Sequence, residues 1–273
     1  MIQFGRRPYP YQTSHRIDEV MLRLPDGSQV EALLKHLSWS ELGANAQLVK
    51  PDFLHDPQRE ILAYRILADA GLGTPLCYDA GEHWLLLEKV VGLELWQVGQ
   101  LETWVRVAGW LARFHAKFNA VAVPSDGLIR YDASFLGIWP RRAARKHSEL
   151  TRVAASYDRV VDLLCKQPRI LIHGEFYASN ILVAGTRVAT VDWEMVGIGP
   201  AALDVAALVS GWGPTEAAEI VAGYGDITCD VLDAARLHLA VQWLGWADGW
   251  SPPPQHARDW LADARAAADR LGI

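Results

Sequence analysis

The chain has 273 residues, of which 51% are hydrophobic and 21% are charged, and its formal net charge is −6. This length and composition predict a globular protein that buries a substantial core in one domain or two lobes. The negative charge argues against broad binding to nucleic acids or to anionic membranes. No apolar run reaches the length of a membrane span, and the N-terminus has no apolar stretch that could serve as a secretory signal.

The three cysteines, Cys77, Cys165 and Cys229, are odd in number and far apart in the sequence. They fit neither a disulfide framework nor a zinc-binding pattern. We therefore expect three buried thiols in a protein of the reducing cytoplasm.

The first third of the chain predicts a small sheet. Residues 17 to 37 alternate as a strand, a turn at Pro25–Ser28, and a second strand from Val30 to Leu37 that carries Lys35 in an apolar setting. Two further short strands are predicted near residues 76–78 and 84–87.

One helix is predicted between these pairs of strands. Asp56 supplies an N-cap, Pro57 occupies the first helical position, and the helix continues to about Ala70. Glu60 lies on a stripe of this helix that is otherwise apolar.

After Gly92 the sequence pattern becomes helical. One helical face is formed by five apolar residues, Trp104, Val107, Leu111, Phe114 and Phe118. A second helix is predicted over roughly Ser148 to Leu164. Helices return from Ala201 to the end of the chain, with breaks at Pro214 and at residues 252–254.

The most informative segment runs from Leu171 to Asn180 and is followed by a predicted hairpin and by Val191–Glu194. Glu175 lies five residues before Asn180, and Asp192 lies twelve residues after it. Carboxylate and amide oxygens on separate loops are what a phosphoryl-transfer centre uses to hold magnesium and to orient a hydroxyl. Asp192 ends an apolar strand, where a carboxylate is costly unless it is paired or binds a metal. The alternatives are a turn residue for Asn180 and a helix cap for Asp192.

This segment resembles the catalytic core of the aminoglycoside phosphotransferase family, whose relatives include choline kinases and protein kinases. The ordered positions that carry the resemblance are Lys35, Glu60, the run from His173 to Glu175, Asn180 and Asp192. The resemblance implies an α+β, bilobal, protein-kinase-like fold. A small antiparallel-sheet N-lobe over residues 1–88 would bind the nucleotide. A larger helical C-lobe over residues 89–273 would carry the catalytic and metal loops and the acceptor pocket.

The resemblance also implies two cofactors, ATP or another nucleoside triphosphate and Mg²⁺. Lys35 would contact the nucleotide phosphates and pair with Glu60, while Asn180 and Asp192 would ligate the magnesium. The alternative for Lys35 is a surface lysine on an edge strand.

Further roles follow from the same resemblance. Glu88 and Val90 lie in the predicted hinge over residues 88–92 and would contribute to nucleotide binding. His173 would brace the catalytic loop, and Asp204 would anchor that loop by hydrogen bonds, so both are interpreted as structural.

The chain departs from the family pattern at its catalytic acid. Glu175 stands where the family has an aspartate that accepts or orients the proton of the acceptor hydroxyl. Glutamate is competent as a base, but its extra methylene extends the carboxylate by about 1.5 Å. A displacement of the catalytic carboxylate by about 1 Å can lower the rate about a hundredfold. Either the pocket is recessed to accept the longer side chain, or catalysis is weak or absent.

A glycine-rich phosphate loop is missing before the first predicted strand. The segment Phe4–Ser14 contains one glycine and two prolines. The hydroxyls of Thr13 and Ser14, or the side chains of Arg6 and Arg7, are alternative phosphate contacts. A flexible tail is the other interpretation of the two arginines.

The residues that could line the acceptor pocket favour no single substrate. An aromatic stripe at helical spacing is formed by Trp243, Trp246 and Trp250. It is either core or the wall of a cleft, where it would suit a sugar or an aromatic natural product better than a polycation. Scattered acidic candidates for a polycation pocket are Glu194, Asp248 and Asp259.

A short basic cluster follows Trp139 and Pro140. Its members are Arg141, Arg142, Arg145 and Lys146. We interpret it as a solvated helix face, with a site for an anionic acceptor or partner as the alternative.

These patterns predict an ATP-dependent phosphotransferase that moves the γ-phosphoryl group to a hydroxyl of a small molecule resembling a sugar, an aminoglycoside or another natural product. The alternative is a catalytically silent kinase-like protein that binds a ligand or a partner. A kinase acting on proteins is disfavoured, since no long activation segment separates Trp193 from Gly199. We expect a cytoplasmic protein without nucleic-acid or membrane partners, and the sequence predicts no oligomeric state.

Overall fold

The computed structural model describes residues 2–10, 14–120, 126–246 and 257–273. The chain forms two compact units. The first consists of Met1–Leu93 and Leu182–Glu194, and the second of Glu94–Ile181 and Met195–Ile273. The first unit is mainly an antiparallel sheet and the second is mainly helical, which confirms the predicted α+β class. None of the described helices is long and apolar enough to cross a membrane.

Five strands and two helices make up most of the first unit: β1 (Ile2–Pro8), β2 (Ile17–Arg23), β3 (Gln29–His36), α1 (Ala44–Val49), α2 (Pro57–Leu67), β4 (Cys77–Ala80) and β5 (Trp84–Glu88). The strands are antiparallel and lie in the spatial order β1–β2–β3–β5–β4. One face of the sheet buries an apolar cluster of Val20, Leu22, Ala32 and Leu86. The sheet thus places β3, with Lys35, at its centre.

The predicted strand–turn–strand between residues 17 and 37 is confirmed. The Asp26 carboxylate accepts hydrogen bonds from the Ser28 amide at 2.9 Å and from its hydroxyl at 2.6 Å. Gly27 has φ +85°, a left-handed conformation that glycine adopts without steric cost. This turn fixes the register of β2 and β3 and pairs Ile17 with Lys35.

Helix α2 starts as predicted and ends three residues early. The Asp56 carboxylate accepts a hydrogen bond from the Gln58 amide at 3.0 Å, and Pro57 is the first helical residue. The helix stops at Leu67 because the Ala70 amide turns back to the Leu67 carbonyl at 2.9 Å.

The interpretation of Arg6 and Arg7 as part of a flexible tail is wrong. Both lie on β1, which pairs with β2 along its length. Arg6 Nε donates to Asp18 at 3.0 Å, and Arg7 Nε donates to Glu19 at 3.1 Å. Asp18 and Glu19 are buried, so their carboxylates need these cations and the arginines stay on the strand.

The chain then enters the second unit through β6 (Leu93–Glu94), α3 (Leu101–Ala120), β7 (Ile129–Arg130), α4 (Ala133–Leu136), α5 (Ile138–Lys146), α6 (Thr151–Ala155), α7 (Asp158–Cys165) and β8 (Ile170–Ile172). It returns to the first unit as a hairpin of β9 (Ile181–Ala184) and β10 (Arg187–Thr190). The remaining elements are β11 (Gly197–Gly199), α8 (Ala202–Leu208), α9 (Pro214–Tyr224), α10 (Cys229–Gly245) and α11 (Trp260–Leu271). Strand β11 lies between β7 and β8.

Helix α3 confirms the predicted apolar face, since the five residues that define the face are all buried. The single helix predicted over residues 148–164 is wrong, because α6 ends at Ala155 and α7 begins at Asp158. The break places the buried Tyr157 so that its hydroxyl lies 2.9 Å from His238 Nδ1. A tertiary hydrogen bond therefore accompanies the interruption of this helix.

The three cysteines are not buried thiols, so that expectation is wrong. Cys77 and Cys229 are exposed and Cys165 is half-buried. All three lie at element ends or edges, where the apolar pattern that defines the core does not reach. None forms a disulfide.

Candidate active site

Lys35, Glu60 and Asp192 converge in the first unit. Lys35 is 7% exposed, and its Nζ donates to Glu60 Oε1 at 2.9 Å and to Asp192 Oδ1 at 2.7 Å. Glu60, from the first turn of α2, is 2% exposed, and Asp192 follows the end of β10. The pairing that the resemblance implied is present, and Lys35 is not a surface lysine on an edge strand.

The surroundings of these groups fix two protonation states. Burial disfavours the charge of Lys35, but the carboxylates of Asp192 and Glu60 outweigh it and raise the pKa of the lysine. Burial also disfavours the charge of Asp192, but the charge and hydrogen bond of Lys35 outweigh it and lower the pKa of this carboxyl. Lys35 is therefore protonated and Asp192 ionised at neutral pH.

Asp192 has an unusual backbone. Its φ of +62° makes it the non-glycine residue with a left-handed backbone among those that the structure describes. Aspartate tolerates this conformation better than most residues, but it still costs free energy that surrounding contacts must offset. The next residue, Trp193, is buried, and its Nε1 donates to the Thr190 carbonyl at 3.1 Å, which closes the turn. The Asp192 side chain remains 34% exposed.

Three basic side chains, of which two are charged at neutral pH, hold the segment after Asp192, and sequence reasoning missed them. Buried Lys50 forms an ion pair with the Glu194 carboxylate, and His15 Nε2 lies 3.6 Å from the same carboxylate. Arg59 Nη1 donates to the Glu194 carbonyl at 3.1 Å. Burial, together with the charges of Lys35 and Lys50, lowers the pKa of His15 to about 4, so His15 is neutral at pH 7.

Glu88 takes part in an ion pair within the first unit. Its carboxylate accepts from Arg187 at 2.6 and 2.8 Å, and from the Leu76 amide at 3.0 Å. The hydrogen bond from Arg187 lowers the pKa of Glu88. Val90 is half-buried two residues later. The nucleotide-binding role of Glu88 and Val90 stays a prediction.

In the second unit, Asp204 anchors the segment that begins at His173. Its fully buried carboxylate accepts from the amides of His173 and Gly174 at 2.7 and 2.8 Å. The Nε2 atom of His115 lies 3.1 Å from the same carboxylate. Gly174 has φ +83°, and a side chain there would collide with the Met195 carbonyl. The loop that carries Glu175 therefore starts from a fixed backbone.

Asn180 closes this loop. Its Nδ2 donates to the Glu175 carbonyl at 3.0 Å, and the Glu175 amide donates to His173 Nδ1 at 3.3 Å. Because the amide nitrogen is held by the loop, Oδ1 of Asn180 is the atom that can face a cation. Asn180 is thus the loop-bonding turn residue considered above, and the same bond fixes the orientation of its Oδ1 atom.

Phe176 and Tyr177 have different roles. Phe176 is buried and stacks on Trp110 with 5.8 Å between ring centroids, which is ordinary core packing. The Tyr177 hydroxyl accepts a hydrogen bond from Trp243 Nε1. Burial and then the charge of the Glu175 carboxylate raise the pKa of Tyr177.

The aromatic stripe is divided between two environments. Trp243 contacts Tyr177 and stacks on Trp260 at 5.2 Å. Trp246 is half-buried and stacks on buried Trp139 with 5.6 Å between ring centroids. Trp250 lies outside the described residues, as do Asp248 and Thr13.

The two acidic acceptor-side candidates that the structure describes each have another partner. Glu194 is held by Lys50, and Asp259 caps α11 by accepting from the Ala262 amide at 2.9 Å. Arg142 does not belong to a solvated face. It donates to the carbonyls of Gly245 and Trp246, each at 2.7 Å, because the end of α10 leaves those carbonyls without helical partners.

A cavity of about 140 Å³ adjoins the loop within the second unit. Its walls include Tyr177, Ala178 and Ser179 of the loop and two indoles, Trp96 and Trp104. An aromatic wall next to the predicted catalytic loop can receive the face of a ring.

A profile of the phosphotransferase enzyme family (APH) matches residues 26–238, which include each predicted site position from Lys35 to Asp192. The chain belongs to this family. Membership in the phosphotransferase enzyme family confirms the resemblance seen in the run from Leu171 to Glu194. Comparison with curated protein sequences found no match.

Solved structures share the fold of this phosphotransferase-family chain. The ADP-bound aminoglycoside phosphotransferase APH(2'')-Ib has a TM-score of 0.64 and 12% identity, covering 98% of this chain and 95% of its own. Choline kinase LicA from Streptococcus pneumoniae has a TM-score of 0.67 and 15% identity, with coverages of 99% and 94%. Macrolide 2'-phosphotransferase MphH from Brachybacterium faecium has a TM-score of 0.59 and 18% identity, with coverages of 97% and 91%. These similarities confirm the predicted kinase-like fold.

Proposed function

We propose that the protein transfers the γ-phosphoryl group of ATP, or of another nucleoside triphosphate, to a hydroxyl of a small molecule. The observation that carries this proposal is a buried, protonated Lys35 held between two carboxylates, Glu60 and Asp192. A buried lysine fixed at a defined point is suited to bind nucleotide phosphates. Residues 1–88 would supply this phosphate-binding side, and residues 89–273 the acceptor side.

The predicted metal ligands offer oxygen atoms that suit Mg²⁺. Asp192 uses Oδ1 for Lys35, and Asn180 uses its Nδ2 within the loop, so Oδ2 of Asp192 and Oδ1 of Asn180 are the candidate donors. In the described part of the chain, no three His, Cys, Asp or Glu side chains form a complete cation site. Nucleotide oxygens and water would complete the shell. When bound, Mg²⁺ would neutralise charge on the phosphates.

In the proposed reaction, the acceptor oxygen forms a bond to the γ-phosphorus as the bond from that phosphorus to the β,γ-bridging oxygen breaks. The acceptor proton passes to the Glu175 carboxylate, and the nucleoside diphosphate leaves. Lys35 would hold the phosphates, while Asp204 keeps the loop backbone fixed through the amides of His173 and Gly174. Positioning and electrostatic stabilisation would supply most of the acceleration.

The silent alternative is supported by two observations. Glu175 replaces the aspartate expected by resemblance, and no glycine-rich loop precedes β2. The structure removes one substitute for that loop, since Arg6 and Arg7 are committed to Asp18 and Glu19. A silent protein would still be able to bind a ligand on the aromatic wall beside Tyr177.

Replacement of Glu175 separates the two functions. We expect Glu175→Gln to lower kcat by about a hundredfold or more while thermal stabilisation by magnesium-ATP persists. The assay would combine magnesium-ATP with a library of hydroxylated metabolites. The matched control is Glu219→Gln, at an exposed position of α9. Glu175→Asp should also reduce the rate if the pocket is shaped for glutamate. A gain in activity would show that the native site is detuned, and absence of both product and ATP hydrolysis would favour the silent protein.

The compartment and partners are part of the proposal. Three unpaired thiols, two of them exposed, suit a reducing compartment such as the cytoplasm. The partner would be a small hydroxylated acceptor, with no nucleic acid and no membrane.

A further inference from the structure

A second and larger cavity lies within the helical unit. Its volume is about 420 Å³, and its walls come from α8, α9, α10, α11 and the segments that join them. This volume is in the range that holds a small ligand. Three arginines line it: Arg236, Arg258 and Arg270. The apolar part of the wall includes Trp212, Leu239 and Trp260.

The arginines outnumber the acids that neutralise them. Arg236 Nη1 and Arg270 Nε share Asp233, at 3.2 and 2.9 Å, and Arg258 Nε lies 2.6 Å from Asp263. Three guanidiniums against two carboxylates leave an excess of positive charge, in a chain whose net charge is −6. Among the described contacts, Arg236 and Arg270 each use one nitrogen on Asp233. Their other N–H groups can donate to an oxyanion, and a guanidinium does so in a bidentate manner.

This arginine cavity, defined by Arg236, Arg258 and Arg270, adjoins the cavity beside the Glu175 loop. Ser210, Gly211 and Arg258 belong to the walls of both. Arg258 Nη1 donates to the Ser210 hydroxyl at 2.8 Å, and its guanidinium lies 5.0 Å above the Trp260 ring. A ligand that reaches from one cavity to the other passes Arg258.

Aromatic rings connect the arginine cavity to the loop. Trp260 stacks on Trp243, and Trp243 Nε1 donates to the Tyr177 hydroxyl. Trp212 packs edge-on against Trp104, with 5.1 Å between centroids, so each cavity receives one indole of this pair. The two cavities therefore share a continuous wall, which carries the arginines at one end and aromatic rings at the end near Tyr177.

We propose that the arginine cavity binds an oxyanion, a carboxylate or a phosphate, carried by the hydroxylated molecule whose ring lies beside Tyr177. This inference rests on the proposed function and names the class of acceptor: an anionic, ring-containing alcohol. A polycationic acceptor is disfavoured because it would place ammonium groups against three guanidiniums.

The test compares molecules of similar size that carry a negative, a neutral or a positive substituent. One series is glucuronate, glucose and glucosamine, with a phosphate ester of glucose added to separate carboxylate from phosphate. The other is para-hydroxymethylbenzoate, its amide, and the corresponding benzylamine. Binding to the full chain would be measured by ligand-detected NMR and by thermal shift, without nucleotide. We expect the anionic members of at least one series to bind about tenfold or more tightly than the cationic members.

Variants of the cavity arginines test whether the preference for anionic ligands arises in this cavity. Arg236→Gln and Arg270→Gln each leave Asp233 one arginine partner, so both variants should fold. Each is expected to weaken binding of the anion by about tenfold and leave the neutral member unchanged. The matched control is Arg265→Gln. Arg265 lies on α11, as Arg270 does, but it pairs with Glu149 at the surface.

Three outcomes would overturn the inference: no anionic member binds at millimolar concentration, the cationic member binds equally well, or the preference survives both cavity variants. These readouts do not require phosphoryl transfer. Failure of the proposed function would appear separately, as anion binding without phosphorylated product when magnesium-ATP is supplied.

Discussion

Lys35 and Asp204 are both buried, but the protein satisfies them in different ways. Lys35, in the first unit, is held by two side-chain carboxylates, Glu60 and Asp192. Asp204, in the second unit, is held largely by backbone amides, those of His173 and Gly174. Side-chain carboxylates can exchange partners by rotation, whereas backbone amides cannot move without a change in the fold.

This difference distinguishes a side chain that can contact a ligand from one that only holds the backbone. Asp192 is one-third exposed, so in the proposed function Lys35 would release it and bind a phosphate while Glu60 remains in place. Asp204 is fully buried and cannot exchange its backbone partners for a ligand, which suits a residue that fixes a loop. A charge with an exchangeable partner is therefore the better candidate for direct contact with a ligand.

The largest expected effect tests the partners of Lys35. Lys35→Met leaves the buried Glu60 without its cation, and we expect the free energy of unfolding to fall by about 3–5 kcal/mol, with loss of measurable phosphoryl transfer. Adding Glu60→Gln should recover much of the stability but none of the activity. Urea denaturation and a coupled ATP assay would measure the two effects, with Lys166→Met at an exposed surface pair as control. A double variant no more stable than Lys35→Met would contradict the account.

A smaller effect is expected at Asp204. Asp204→Asn keeps the size of the side chain but turns an NH₂ group towards one of the two amides, so stability should fall by about 2–3 kcal/mol. The stability assay is the same, and Asp162→Asn at the surface is the control. Because the partners are backbone groups, no second side-chain substitution at His173 should restore the loss. If a substitution at His173 restored the lost stability, Asp204 would depend on a side chain as Lys35 does, and the contrast between them would not hold.

The effect that is smallest at neutral pH, and that grows on acidification, is the pH dependence of stability in the first unit. The pKa of His15 is lowered from 6.5 to about 4, so the unfolded chain binds a proton that the folded chain excludes across this interval. Stability should therefore fall as the pH decreases from 6.5 towards 4, with His15 contributing about 1.4 kcal/mol per pH unit. His15→Asn should remove that share of the slope, while His83→Asn, at an exposed site, should not. Equal slopes in the two variants would argue against the buried position of His15.

The sequence was sufficient where a signal is local or tied to a motif. Asp56 and Pro57 defined the start of α2, and that start placed Glu60 opposite the strand of Lys35. Asp192 stood out because a carboxylate at the end of an apolar strand needs a partner, and Lys35 is that partner.

Other parts of the molecule depend on residues that are distant in the chain. Lys50 and His15 meet Glu194 only after the chain has passed through about half of the second unit. Arg236 and Arg270 come together on Asp233 through the packing of α10 against α11, and no spacing in the sequence indicates it. The break before Tyr157 likewise depends on a partner, His238, that periodicity cannot reveal.

The late return of residues 182–194 to the first unit has a consequence for synthesis on the ribosome. When Leu93 has emerged, Lys35 and Lys50 already belong to the growing sheet region, but the carboxylates of Asp192 and Glu194 have not been translated. Until about a hundred further residues have followed, Lys35 has Glu60 but not Asp192, and Lys50 lacks the carboxylate of Glu194. A truncated polypeptide that stops before β9 should consequently remain sensitive to protease and depend on chaperones, however complete its five strands are.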